Sequence, residues 1–163
     1  ESYKEIKTYY SREDTANLSD YEKDHKPRLD YLISDLELDL LKNMTICDFG
    51  AGGGYILKNL DSSNTRIAVD GFSVDDDLIR ECYNLDQPFS NDFVSKHGEV
   101  DAVLCFEMFE HLTNPYNFTI EMKRVLKTGG TLYFSVPHEL TQHNCTLNHS
   151  HSVSILQNNI SCI

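Results

Sequence analysis

Asp48, Gly50, Gly52 and Gly54 stand at alternate positions directly after an apolar stretch of this 163-residue chain. Glycines there let the backbone bend sharply and approach a ligand with no Cβ in the way. A phosphate-cradling loop would end in Gly-Lys-Ser/Thr, but Gly54 is followed by Tyr55, Ile56 and Leu57. A dinucleotide loop would need a third glycine where Tyr55 stands, and a tyrosine obstructs the close helix–strand packing that glycine permits. What remains is an acid followed by glycines at every second position. Asp70 lies 20 positions after Gly50, a spacing suited to a carboxylate that accepts hydrogen bonds from two sugar hydroxyls. Further along, Glu107, Glu110 and His111 place two acids and an imidazole within five residues. An imidazole titrates near neutrality, which makes His111 the candidate base.

The elements that must position these residues are legible from hydrophobic period and punctuation. Pro27 opens a helical pattern in which Leu29, Leu32, Ile33, Leu36 and Leu40 form one stripe. Residues 44–49 read as a buried strand, 53–60 as a short helix, 65–69 as a second strand ending at Asp70, 78–83 as a third, and 100–106 as a fourth. The fourth is apolar almost throughout, as a strand covered on both faces should be. Asn114-Pro115 starts a helix with Phe118, Met122, Val125 and Leu126 on its buried side, ending at Gly129-Gly130. Residues 131–136 give a fifth strand, closed by Pro137. Strands alternating with helices predict an α/β fold, a Rossmann-like doubly wound and mostly parallel sheet with helices on both faces. In such sheets ligands sit beyond the carboxyl ends of the strands, where strand order reverses. Residues 1–26, with Tyr3, Tyr9, Tyr10 and Tyr21, are expected to form an arm or lid, and residues 27–163 the domain.

Composition narrows the function classes. The formal net charge is −12 and only the stretch from Lys23 to Arg28 is locally basic, so a phosphate-binding footprint for extended nucleic acid is not expected. No apolar stretch approaches a membrane span, and the polar opening from Glu1 to Glu5 is not expected to act as a leader. Cys47, Cys82, Cys105, Cys145 and Cys162 are odd in number and lack paired spacing, which predicts free thiols in a reducing, cytoplasmic setting. The Asn-x-Ser/Thr triplets at Asn43 and Asn117 are read as chance in an Asn-rich chain.

Taken together, the pieces resemble the class I S-adenosylmethionine-dependent methyltransferases of the small-molecule type, from about Leu29 to Pro137. The carriers of the resemblance are the Asp48–Gly54 loop, the second strand 67–70, the segment 84–89, the fourth strand with Phe109-Glu110-His111-Leu112 after it, and the run 124–132. The resemblance implies S-adenosylmethionine as cofactor and a small-molecule methyl acceptor. It implies cofactor contacts from Asp48, Gly50, Ala51, Gly52, Gly54, Asp70, Gly71, Asn84, Leu85, Asp86, Phe106 and Glu107. Asp48 would face the cofactor's amino group, Asp70 its ribose, and Asn84, with Asp86 as alternative, its adenine amino group. Tyr9 and Tyr10 would close over the site. No metal is expected. A second resemblance, to small-RNA 3′-terminal 2′-O-methyltransferases, would instead put a divalent metal on Glu107, Glu110, His111 and His151, a ligand set that suits Mn²⁺.

The resemblance also implies closing elements past the fifth strand, a helix and an antiparallel strand pair. Only 26 residues follow Pro137, so the pair is expected to be missing, the chain being either C-terminally truncated or a minimal form of the fold. A sheet ending at the fifth strand would expose an edge. That leaves room for a homo-oligomer, a partner covering the edge, or a domain that binds cofactor yet is inactive alone.

Overall fold

The computed structural model describes residues 25–71, 76–137 and the backbone of 151–157. Helix α1 covers the described residues 25–35. A 3-10 turn at Leu38–Leu40 leads into β1 (Thr45–Phe49), followed by the short α2 (Tyr55–Lys58), β2 (Thr65–Asp70) and β3 (Ile79–Cys82). Then come α3 (Ser90–His97), β4 (Val100–Phe106), a 3-10 turn at Phe109–His111, α4 (Pro115–Val125), β5 (Leu126–Pro137) and β6 (His151–Gln157). The strands lie in the order β3-β2-β1-β4-β5-β6. The first five run parallel, and β6 is antiparallel to β5. Because β1 pairs β2 on one side and β4 on the other, the order of successive strands reverses between β1 and β4, which opens the crevice that α/β sheets use for ligands.

Alternate residues of the parallel strands face opposite cores. Cys47, Phe49, Ile67, Val69, Val103 and Cys105 pack against Phe93 of α3 and Phe118, Met122 and Val125 of α4. Ile46, Ala68, Ala102 and Leu104 pack against Leu32 and Ile33 of α1, Leu36 just after it, and Ile56 and Leu57 of α2. The sheet is therefore doubly wound, as predicted. Asn114 caps α4 by accepting from the Asn117 N–H at 3.0 Å, with Pro115 in the first turn.

Three expectations are corrected. The stripe of α1 does not reach Leu40, which is 64% exposed. The helix ends at residue 35 and Glu37 takes a left-handed φ of 52°, which re-aims the chain and buries Leu38 instead. Helix α4 stops at Val125, before Gly129-Gly130, because Leu126 already pairs with Val100. The glycines lie in the irregular stretch between that pair and the pairing of Ala102 with Thr131. The sheet does not stop at the fifth strand, since β6 covers the β5 edge from Thr131 to Pro137. The second member of the antiparallel pair is not among the described residues. Helix α3 carried no sequence expectation. Among the described residues no helix is long and apolar enough to cross a membrane.

Candidate cofactor site

The bend after β1 is built by backbone hydrogen bonds. Gly50 and Ala51 N–H groups donate to Val69 O at 2.8 and 3.2 Å, and Gly54 N–H to Ala51 O at 2.8 Å. Gly50, Gly52 and Gly54 all have positive φ, at 82°, 53° and 79°. Two of them also sit too close to neighbours for a side chain: a Cβ on Gly50 would lie 2.8 Å from Met108 Cγ, and one on Gly54 2.5 Å from Leu78 Cδ1. Gly52 differs, because among the described residues nothing lies within 4 Å of where its Cβ would be. Its N–H donates to Asp70 Oδ2 at 2.8 Å, and Gly71 N–H donates to Asp70 Oδ1 at 2.6 Å. The loop and the carboxylate that the sequence set 20 residues apart are thus in contact.

Behind the loop stands a clasp without a sequence motif. Arg80 of β3 donates to Gly52 O at 2.9 Å and Gly53 O at 3.0 Å. Lys58 Nζ donates to Gly53 O at 2.8 Å. Asp76 ties both cations together, and their hydrogen bonds hold its carboxyl well below the usual carboxylate range. The i, i+4 spacing of Asp76 and Arg80 was the only local hint.

The segment after β3 is folded on itself. Asn84 Oδ1 accepts from Asp86 N–H at 3.1 Å, while Leu85 packs against the α3/α4 core. Asp86 Oδ1 accepts from Thr113 N–H at 2.8 Å and Asn114 N–H at 3.1 Å. Asp86 therefore bridges two loops at the carboxyl edge of the sheet.

At the end of β4, Phe106 is half-buried beside the α1/α2 core. Glu107 follows with a φ of 52°, a conformation few non-glycine residues adopt. Its N–H donates to Ser135 O at 3.1 Å, and its Oε1 accepts from Ser135 Oγ at 2.6 Å and pairs with Arg28 Nη2 at 2.9 Å. Arg28 comes from α1, and its Nε is buried with no hydrogen-bond partner among the described residues. It was noted in the sequence only as part of a basic stretch. Helix α1 is further fixed by Tyr55 of α2, which donates to Asp30 Oδ1 at 2.7 Å and accepts from Lys26 at 2.8 Å. So the tyrosine at the third-glycine position reaches outward to α1. His111 is exposed, in the 3-10 turn after β4. Among the described residues no group of three His, Cys, Asp or Glu side chains converges as metal ligands would. The side chain of His151, like Tyr9 and Tyr10, lies outside the described residues.

Asp48 is buried beneath the loop, on β1 between β2 and β4. Burial pushes its carboxyl up to about 7; Asp70 adds to the rise and Arg80 opposes it.

A family model described as a methyltransferase domain matches residues 21–155. Ubiquinone biosynthesis O-methyltransferase of Xanthomonas oryzae pv. oryzae is 26% identical over 117 residues, covering 66% of this chain and 48% of its own length. Its counterpart in Hydrogenovibrio crunogenus is 28% identical over 104 residues, covering 58% of this chain and 43% of its own. The chain spans about half the length of the curated relatives it matches. Among solved structures, the complex between the Haloferax volcanii Trm112 methyltransferase activator and a methyltransferase matches with a TM-score of 0.56 and 26% identity. That match covers 75% of this chain and 59% of that one. The plantazolicin methyltransferase BamL, solved with S-adenosylhomocysteine, matches with a TM-score of 0.61 at 14% identity, over 82% of this chain and 55% of that one, a likeness of fold.

Proposed function

The chain belongs to the methyltransferase domain family, and on that footing we propose that it binds S-adenosylmethionine at the β1/β4 crevice and methylates a small-molecule hydroxyl. One observation carries the reading. The Gly52 N–H meets Asp70 at 2.8 Å while Gly52 itself opens onto space unfilled by the described residues. A glycine turn and a carboxylate at the ends of adjacent strands offer room and acceptors for an adenosyl group.

The residues around the loop fit the rest of that cofactor. The buried Arg28 Nε without a partner suits a carboxylate such as that of a methionyl group. Asp48 and Glu107 suit its ammonium and sulfonium charges. When bound, S-adenosylmethionine supplies a methyl group already activated on sulfur. The chain's part is to orient the methyl toward an acceptor beyond β4 and to exclude water. His111 is assigned the acceptor's proton, since its turn follows β4 directly. The hydroxyl acceptor draws support from relatives named O-methyltransferases. The thiols of Cys47, Cys82 and Cys105, free in the structure, support a reducing, cytoplasmic setting.

The test is ligand-dependent melting. S-adenosylhomocysteine at about 100 times its Kd should raise Tm by roughly 5–10 °C. Asp70→Ala should remove most of that rise, and Asp70→Asn, which keeps an acceptor for Gly52, should remove less. A rise with NAD and none with S-adenosylhomocysteine would overturn the assignment.

A second reading, that the domain works within an assembly, draws on the likeness to a methyltransferase solved with its Trm112 activator. Among the described residues the strand order also leaves β3 at a sheet edge, where another chain's strand could add. Light scattering of the purified chain, alone and with candidate partners, distinguishes the two readings.

A further inference from the structure

The glycine loop is held from behind by a single guanidinium. Arg80 has a side chain only 8% exposed, and its two terminal nitrogens donate to the consecutive carbonyls of Gly52 and Gly53. Asp76 grips the other edge of the fork, with Oδ1 accepting from Nε at 3.1 Å and Oδ2 from Nη2. Lys58 completes the clasp, 3.1 Å from Asp76 Oδ2. The loop is shaped around this group, since a Cβ on Gly54 would lie 2.9 Å from Arg80 Nη2. A charged clasp of Arg80, Asp76 and Lys58 lies on this flank of the loop.

We infer that Arg80 is a positioning residue for the cofactor, fixing the Gly52 and Gly53 peptides so that the Gly52 N–H stays on Asp70 and the face of Gly52 stays open. The inference rests on the reading of the site given above. The reason is entropic as well as electrostatic. Three glycines of positive φ within five residues make a segment with much freedom to lose. A loop ordered before the ligand arrives binds with less of that loss. Arginine presents its donors in a rigid planar fork; a lysine offers three donors from one point charge on a flexible stem and fixes the two carbonyls less closely.

The experiment titrates S-adenosylhomocysteine into the full chain and follows the Gly52 amide by ¹H–¹⁵N NMR. It compares the wild type with Arg80→Ala, Arg80→Gln, Arg80→Lys and, as a destabilised control, Val125→Ala in the α4 core. Arg80→Ala and Arg80→Gln should bind about tenfold more weakly or worse, as expected from losing charge-assisted hydrogen bonds. Arg80→Lys should recover part of the affinity. The Gly52 amide should exchange faster with solvent in the Arg80→Ala and Arg80→Gln variants, and Val125→Ala should bind as the wild type does. Should Arg80→Ala fail to fold, Arg80→Gln and Arg80→Lys decide the matter. Wild-type affinity in any folded Ala or Gln variant overturns the inference, as does equal weakening in Val125→Ala. A wild type that ignores S-adenosylhomocysteine brings down the functional reading itself, and this inference with it.

Discussion

A carboxyl at about 7 on a central strand makes Asp48 the residue whose charge state the site controls most directly. An unfolded aspartate ionises near 3.8, so between those values the native state holds a proton that the unfolded chain has released. The contribution of Asp48 to stability therefore falls as pH rises from about 4 to about 7 and levels off above. A bound ammonium beside Asp48 favours its ionised form, so affinity for S-adenosylhomocysteine should rise as pH passes through about 7. Asp48→Asn should flatten both profiles. Urea denaturation and ligand titration at pH 5, 6, 7 and 8 measure them, and a wild-type affinity that stays level across the series contradicts the assignment. Glu107 is governed differently. Its left-handed backbone is pinned by Ser135 and Arg28, and such outliers persist only where the surroundings over-determine them.

One helix of this domain is capped from outside itself. Helix α3 has no side-chain cap of its own. The buried Glu121 of α4 instead accepts from Phe89 N–H at 2.8 Å and Ser90 N–H at 2.9 Å. Burial pushes the Glu121 carboxyl up, but the Ser90 and Phe89 hydrogen bonds outweigh it and leave it below its ordinary value. Its contribution is thus present above the unfolded glutamate's pKa and is lost as pH falls through the lower folded value. Glu121→Ala strands two buried donors and should cost about 1–3 kcal/mol at pH 7 in urea denaturation. Glu121→Gln keeps an acceptor and should cost less, while an Ala variant as stable as the wild type would refute the capping role. Asp86 does the same work between loops, holding the start of α4 to the turn after β3. Neither role was legible beforehand, because each cap is far along the chain from the donors it satisfies. The cap of α4 was legible, since Asn114 and Pro115 adjoin the turn they start.

At the scale of the molecule, the sheet holds two cores apart, and Phe49 anchors the one shared with α3 and α4. Its ring lies 5.2 Å from that of Phe89, 5.9 Å from Phe93 and 5.6 Å from Phe118 in an edge-on arrangement. Phe49→Ala should cost about 3–5 kcal/mol. Fluorescence and circular dichroism should still report one coincident unfolding transition, because both cores share the same strands; two separate transitions would show the cores to be independent. The succession of β1 to β5 with α1, α2 and α4, the two-sided sheet and the acid–glycine turn were legible in the sequence itself, whereas α3 and β6 were not. Apolar period, glycine and proline act over a few residues, and a parallel sheet follows from their alternation. What only the tertiary structure decided is which charged groups are already engaged. Asp70 is held by Gly52, Asp86 by Thr113 and Asn114, Glu107 by Arg28 and Ser135, and the loop carbonyls by Arg80. Those pairings depend on strand register and helix placement, which bring distant residues within hydrogen-bond range and which no local spacing encodes.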